Sequence, residues 1–263
     1  MTTIPIHVNV PYPLLKDRID SLIKYRLNPE IYFSGSILDT LIKDELSEMC
    51  EEIKEAGLSI TFHAPYMDMS PGSPDPKIKA VVLDRMNQVL DLAEIVRPKA
   101  IVVHGGYDKW RFDGNMEMWL KNSLEIWPVI VRRAGKVGTV LAMENVFDNN
   151  PEPIKRLLDA MGSPYFGHCF DVGHFRLFSN ISMGEWFEQL GKRMVEVHIH
   201  DNHGGRDEHL PPGEGDIDFP IFFKLLKNCS QEVIYTIEPH KEEHLMKNLE
   251  VLPKYLGIGA VKA

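Results

Sequence analysis

The sequence predicts an α/β protein built as one (β/α)8 TIM barrel. Three observations carry that expectation. Short β-branched runs of strand length alternate eight times with amphipathic segments of helix length, and such alternation builds a parallel sheet with right-handed crossovers. The 263 residues match the roughly 250 that eight such units need. The turn after the first run, Pro11-Tyr12-Pro13, lacks the glycine-rich phosphate fingerprint of a doubly wound sheet, the competing architecture. No linker or low-complexity tract divides the chain, so residues 1–263 read as a single domain.

The units follow one another without interruption. The run Ile4–Val10 leads to a helix over Leu14–Arg26, and Glu30–Phe33 to one over Asp39–Ala56, with Gly57 placed as its C-terminal cap. Ser59–His63 precedes Pro76–Ile95 across a turn-rich stretch, Met67–Pro76. Within that helix Val82, Met86, Val89, Leu90 and Ala93 form the apolar stripe of a helix lying on a sheet. Ala100–His104 leads to Met116–Ala134, whose Met116, Met118, Trp119 and Trp127 read as packing residues. Thr139–Glu144 leads to Pro153–Met161, closed by Gly162; Tyr165–Asp171 leads to Met183–Leu190. Met194–His200 is followed by Phe219–Asn228, with Asp218 as N-cap and Pro220 in the first turn, and Glu232–Glu238 by Glu242–Tyr255.

Composition excludes several classes. With 44% hydrophobic and 25% charged residues, the chain is neither disordered, collagen-like nor coiled-coil. No apolar stretch approaches the roughly 18 residues of a membrane helix, so no membrane partner is expected. The start, Met1–Pro5, has neither the basic nor the apolar region of a secretory leader. Cys50, Cys169 and Cys229 fall at unrelated spacings, which fits a reducing cytoplasm. The net charge of −9 disfavours a polyanion, whose affinity comes from Lys and Arg.

Side chains able to bind metal fall at the C-terminal ends of the runs. His63, His104, Glu144 and Asp171 end the third to sixth; His174 follows Asp171; His198 and His200 end the seventh, and Glu238 the eighth. The loop Asp207-Glu208-His209 adds two more. A barrel gathers these ends on one rim. Two like charges about 4 Å apart repel by about 4 kcal/mol at an effective dielectric of 20, so such a cluster points to divalent cations, zinc or manganese. Taken singly, His203, His240 and His244 read as surface residues, Glu214 as a solvated loop charge, and His7 and Asn9 as support for ligands.

The segments His63-Ala-Pro-Tyr66, Val103-His104-Gly-Gly, Met143-Glu144-Asn145, Phe170-Asp171-Val-Gly-His174, Val197-His198-Ile-His200-Asp201, Asp207-Glu-His209, Gly213-Glu-Gly215 and Ile237-Glu238 together resemble the endonuclease IV family. That family sits within the wider xylose isomerase-like barrel superfamily. The resemblance runs in order from about His63 to Glu238. It implies a trinuclear zinc site held by His63, His104, Glu144, Asp171, His174, His198, Asp207, His209 and Glu238. It implies hydrolysis of phosphoester bonds, with Glu144 and Glu238 as catalytic residues and abasic DNA as a substrate. The sugar isomerases and 3-epimerases of the same superfamily imply the alternative, one divalent ion on Glu144, Asp171, His198 and Glu238. Three divalent ions would bring the loaded chain from −9 to about −3. Tyr66, Asn145, Arg206 and Glu214 are the expected substrate contacts. The loop Ser34–Ile37 lacks the arginine and amide side chains of the DNA-processing members, and rim cations are few: Lys109, Arg111, Arg176, Arg206 and Lys241. A small phosphorylated or sugar substrate is therefore expected beside abasic DNA.

Overall fold

The structure, a computed structural model, describes residues 4–229 and 232–257. Residues 1–3, in the region read for a leader, and the C-terminal end of the expected domain lie outside the described residues. Eight parallel strands close into a barrel in sequence order: β1 (Ile6–Pro11), β2 (Asn28–Tyr32), β3 (Thr61–His63), β4 (Ala100–His104), β5 (Val140–Glu144), β6 (Phe166–Asp171), β7 (Met194–Ile199) and β8 (Ile234–Ile237). β8 pairs back onto β1 through Ile6 and Tyr235, which leaves no free edge.

The outer layer consists of α1 (Tyr12–Tyr25), α2 (Gly35–Leu38), α3 (Lys43–Glu55), α4 (Pro76–Val96), α5 (Met116–Val137), α6 (Glu152–Met161), α7 (Val172–Phe178), α8 (Met183–Leu190), α9 (Phe219–Leu226) and α10 (Glu242–Leu256). Among the described residues no helix is long and apolar enough to cross a membrane. The core lies between strands and helices. Val82, Met86, Val89, Leu90 and Ala93 of α4 are all buried, as are Trp119 and Trp127 of α5. Met116 and Met118 are only partly buried against that core.

Two helical expectations change. The helix expected over Asp39–Ala56 begins only at Lys43, after the separate short turn α2. Asp39 is held by Arg85 and Gln88 of α4 and so ends that turn instead of continuing it. A helix absent from the sequence expectation, α7, starts directly at the end of β6 because Asp171 caps it.

Alternation along the strands decides what faces inward. Residues two apart share a face, so β1 turns His7 and Asn9 to the interior, β2 Glu30 and Tyr32, and β7 Glu196 and His198, with His200 directly beyond its end. Most barrels fill this space with Val, Ile and Leu. Here the apolar inward contribution is a small cluster, Val102, Ala142 and Cys169. The rest is a polar column that ends in the rim.

Candidate metal centre

Glu144 is the hub of that rim. The Nε2 atoms of His63 and His104 lie 3.3 and 2.8 Å from its Oε2, and His174 Nδ1 lies 3.0 Å from its Oε1. His174 arrives there because Asp171 caps α7, its Oδ1 accepting the His174 backbone N–H at 2.6 Å. Asn145, next to Glu144, spends its whole amide on Asp171: it donates to the backbone carbonyl and accepts the backbone N–H, both at 2.9 Å. It thereby locks the ends of β5 and β6 together.

His198 stands at the centre of the barrel. Its Nε2 is 3.3 Å from Glu30. Its Nδ1 lies 3.4–3.7 Å from carboxylate oxygens of Glu238, Asp171 and Glu144, yet makes no hydrogen bond. His200 reaches Asp171 at 3.1 Å, and its buried Nδ1 likewise lacks a hydrogen bond. His209 donates from Nδ1 to the Glu238 carbonyl at 2.9 Å and presents Nε2 to Asp207, also at 2.9 Å. Its backbone is left-handed, at φ 50°, a conformation rarely adopted by a non-glycine residue and found concentrated at functional sites. The rings of His200, His209 and His240 form a column, with centroids 3.9 and 3.7 Å apart. Gly173 makes room for it, since a Cβ there would sit 2.0 Å from the His200 ring.

The loop that carries Asp207 and His209 is tied down by Asp201. This fully buried carboxylate accepts the backbone N–H groups of Asn202, Gly213, Gly215 and Ile217 at 2.9–3.2 Å. Gly215 must be glycine, because a Cβ would come within 2.4 Å of Asp201. The bonds to Asp201 make the Gly213–Gly215 segment an anchored loop.

Electrostatics follow from crowding. Burial favours the neutral acids, but the histidines around Glu144 and Asp171 hold both carboxyls well below the usual range. Burial likewise opposes charge on His209, and Asp207 and Glu238 overcome it, lifting the ring to about 9. Below the rim, burial and the neighbouring Glu30 carboxylate push Glu196 well above the usual range.

The donor set fits divalent cations. His63 donates from Nδ1 to the Ala64 carbonyl at 2.8 Å, so a neutral ring points its Nε2 lone pair at a carboxylate oxygen. His198 and His200 keep buried nitrogens aimed at carboxylates. Lone pairs facing lone pairs need a proton or a metal between them. Donor atoms within 4.8 Å of one another occur in the groups His63–His104–Glu144, Glu144–Asp171–His198 and His200–His209–Glu238. His174 and Asp207 join the last two groups, 3.5 Å from each other.

All nine expected ligands therefore meet at one rim, at the bottom of a cavity of about 910 Å³. The expected substrate contacts divide. Tyr66 lines the cavity and stacks on His104 at 5.0 Å. Asn145 is buried behind Asp171, Arg206 points to solvent with its side chain 83% exposed, and Glu214 pairs with Lys247 at 2.7 Å; none of these three lines the cavity. His244 is buried, not on the surface: its Nδ1 lies 3.1 Å from the His209 carbonyl, whose loop it supports. His240 is exposed, as expected, and its ring also caps the imidazole column and lines the cavity. Asn9 does support a ligand partner, donating to Glu30 at 2.8 Å, whereas His7 pairs with Thr61 and Ser59 lower in the barrel.

Sequence reasoning missed Glu30, Glu196, Asp201 and Asp148. The spacing Glu196-x-His198-x-His200 was the available signal for the second of these. Asp148 lines the cavity, and burial raises it to about 7.

An inward face made of imidazoles and carboxylates on a closed eight-stranded barrel defines a class. The chain belongs to the xylose isomerase-like TIM barrel family, which matches residues 29–255. It is 28% identical over 208 residues to an uncharacterised protein of Methanocaldococcus jannaschii, covering 76% of this chain and 71% of that one. It is 27% identical over 191 residues to a probable endonuclease 4 of Mycobacterium leprae (69% and 74% covered). It is 28% identical over 180 residues to an L-ribulose-5-phosphate 3-epimerase of Escherichia coli (65% and 60% covered). Among solved structures, a D-tagatose 3-epimerase-like protein superposes with a TM-score of 0.83 at 24% identity, covering 97% of each chain. A Thermus thermophilus protein from a crystal soaked in zinc chloride gives 0.80 at 23%, covering 97% of this chain and 99% of that one. These two superpositions share the fold.

Proposed function

We propose that this protein is a divalent-metal-dependent hydrolase of phosphoester bonds, similar to endonuclease IV, acting on a small phosphorylated substrate in the cavity. One observation carries the reading: the rim holds more donors than a single ion can use. A zinc ion takes about four ligands, and here the nine residues and His200 gather in three donor groups, two of which share Glu144. His63, His104 and Glu144 would hold one zinc ion. Asp171, His198 and Glu238, with Glu144 shared, would hold a second. His174, Asp207 and His209 would hold a third. Manganese is the alternative metal. When bound, such ions supply Lewis acidity and activate water at neutral pH. Glu144 would bridge two groups and fix their separation. Glu238, which faces the same His198 nitrogen as Glu144, would orient the water and accept its proton. Tyr66 would close the wall over the reacting phosphate. Abasic DNA fits less well, because among the described residues the cavity lining offers only Arg18, Arg111 and Lys241 as Lys or Arg cations.

A second reading has its own support. Glu144, Asp171 and Glu238 converge on the free Nδ1 of His198, and the four residues suffice for one ion. In that reading the chain is a sugar or sugar-phosphate 3-epimerase or isomerase, in which the two glutamates exchange a proton with the substrate carbon. The epimerase relative supports this alternative as much as the endonuclease relative supports the first.

Metal content and turnover together decide. Elemental analysis of protein purified from zinc-supplemented culture is expected to give more than one equivalent per chain, with release of p-nitrophenol from bis(p-nitrophenyl) phosphate that chelation abolishes and zinc restores. One equivalent, with exchange of solvent deuterium into a ketose phosphate and no phosphoester cleavage, overturns the hydrolase reading in favour of the epimerase.

A further inference from the structure

We propose that the outer half of the cavity is a separate subsite for an apolar or aryl group carried by the substrate. This rests on the phosphoester reading above. Leu14, Tyr66, Met67, Phe147, Phe178 and Met246 are 47%, 40%, 69%, 50%, 38% and 43% exposed, and all six line the one cavity. Isolated exposed apolar side chains are ordinary on a protein surface. A group of them converging on one concavity marks a binding site.

The six come from separate parts of the rim. Leu14 is on α1, Tyr66 and Met67 follow β3, Phe147 follows β5, Phe178 ends α7 and Met246 is on α10. The convergence is therefore a property of the fold and not of one greasy loop. Phe147 and Phe178 meet edge to face at 5.1 Å, which presents a preformed aromatic corner. Across the mouth, Tyr66 is braced by Tyr32 at 5.4 Å and by His104 at 5.0 Å. The cavity, about 910 Å³, is in the range that encloses a drug-sized ligand. It is far larger than a phosphate held at the metal groups requires.

Charge argues the same way. Of the three lining cations, Arg18 lies 3.5 Å from Glu242 and Lys241 3.9 Å from Glu243. A ligand with one phosphate at the floor and an apolar body in the mouth uses what the walls offer; a chain of phosphates does not.

The test compares methylphosphonate with phenylphosphonate by calorimetry on zinc-supplemented protein. Burying a phenyl ring is worth on the order of tenfold to a hundredfold in affinity, so phenylphosphonate is expected to bind at least tenfold more tightly. In the Phe147→Ser/Phe178→Ser double variant that ratio is expected to fall toward one. Met67→Ser, at the most exposed of the six positions, is expected to lower it in part and provides the same reading should the double variant fold poorly. Equal affinity for the two phosphonates, or a preference unchanged in the variants, overturns the subsite and leaves the hydrolase reading standing. Binding of neither phosphonate overturns the hydrolase reading and this inference with it.

Discussion

Replacing His168 with phenylalanine tests how a polar ring buried between the barrel and its helices is held neutral. His168 is fully buried on β6, with Nδ1 donating to the Met143 carbonyl at 2.8 Å and Nε2 accepting from the Trp186 indole at 3.0 Å. Both ring nitrogens are thus used by the neutral tautomer, and a second proton would face the indole N–H. Burial accordingly lowers the ring from 6.5 to about 4. His168→Phe keeps the ring volume but leaves one donor and one acceptor buried without partners, at about 1–3 kcal/mol each. Near neutral pH the variant should therefore unfold about 2–6 kcal/mol more easily.

The pH dependence is the sharper readout. The folded pKa is depressed, so between 6.5 and about 4 the unfolded chain binds more protons. The contribution of the neutral ring is then complete above the unfolded value and is lost as pH falls toward the folded one. From about pH 7.5 to about pH 5 the wild type should lose about 2 kcal/mol through this ring alone, and the variant should not. Guanidinium unfolding of both proteins at the two pH values, without added metal, measures the difference. A gap that stays constant with pH would refute the assignment of His168 as a neutral, doubly bonded ring.

Three further outcomes follow from the centre itself. His209→Ala is expected to remove about one zinc equivalent per chain and most phosphoester turnover while retaining native circular dichroism, because the ring lies on a loop outside the barrel strands; full metal content and full rate would exclude it as a ligand. Glu30→Gln keeps the shape below His198 but weakens the partner of its Nε2, and metal affinity is expected to fall about 10- to 100-fold, as read by competition with a chromogenic chelator. Gly173→Ala places a methyl group on the His200 ring and is expected to lower metal content and turnover together; wild-type values for both would show that the ring has another place to go.

The repeat order of the barrel could be read from the chain because each strand and each helix carries its own period. The rim could be read because a barrel turns strand ends into neighbours, so His63 and Glu238 meet despite their separation in sequence. Other features depend on register. Glu30 pairs across the sheet with Asn9 and Thr61, and only closure of the barrel places it under His198. The break before α3 is set by the contact of Asp39 with Arg85, distant in sequence. His244 and Asn248 share the buried face of α10 with Leu249 and Leu252, and their polarity hid that stripe. Arg206 and Glu214 lie on a loop, where no periodicity fixes direction; Glu214 turns to Lys247.

Asp201 has a consequence for how this scaffold could be re-engineered. The donors on strands would survive almost any change to the connecting segments, since backbone ladders fix them. Asp207 and His209 sit instead on a loop whose far end is held by a knot of amides that one side chain gathers, with His244 and the Leu210 backbone as further ties. Loosening that knot would displace the cup's outermost members while the donors on or beside the strands stayed in place. A designer wishing to reduce the proposed several-ion centre to a one-ion centre would thus start from a residue outside the proposed ligand set.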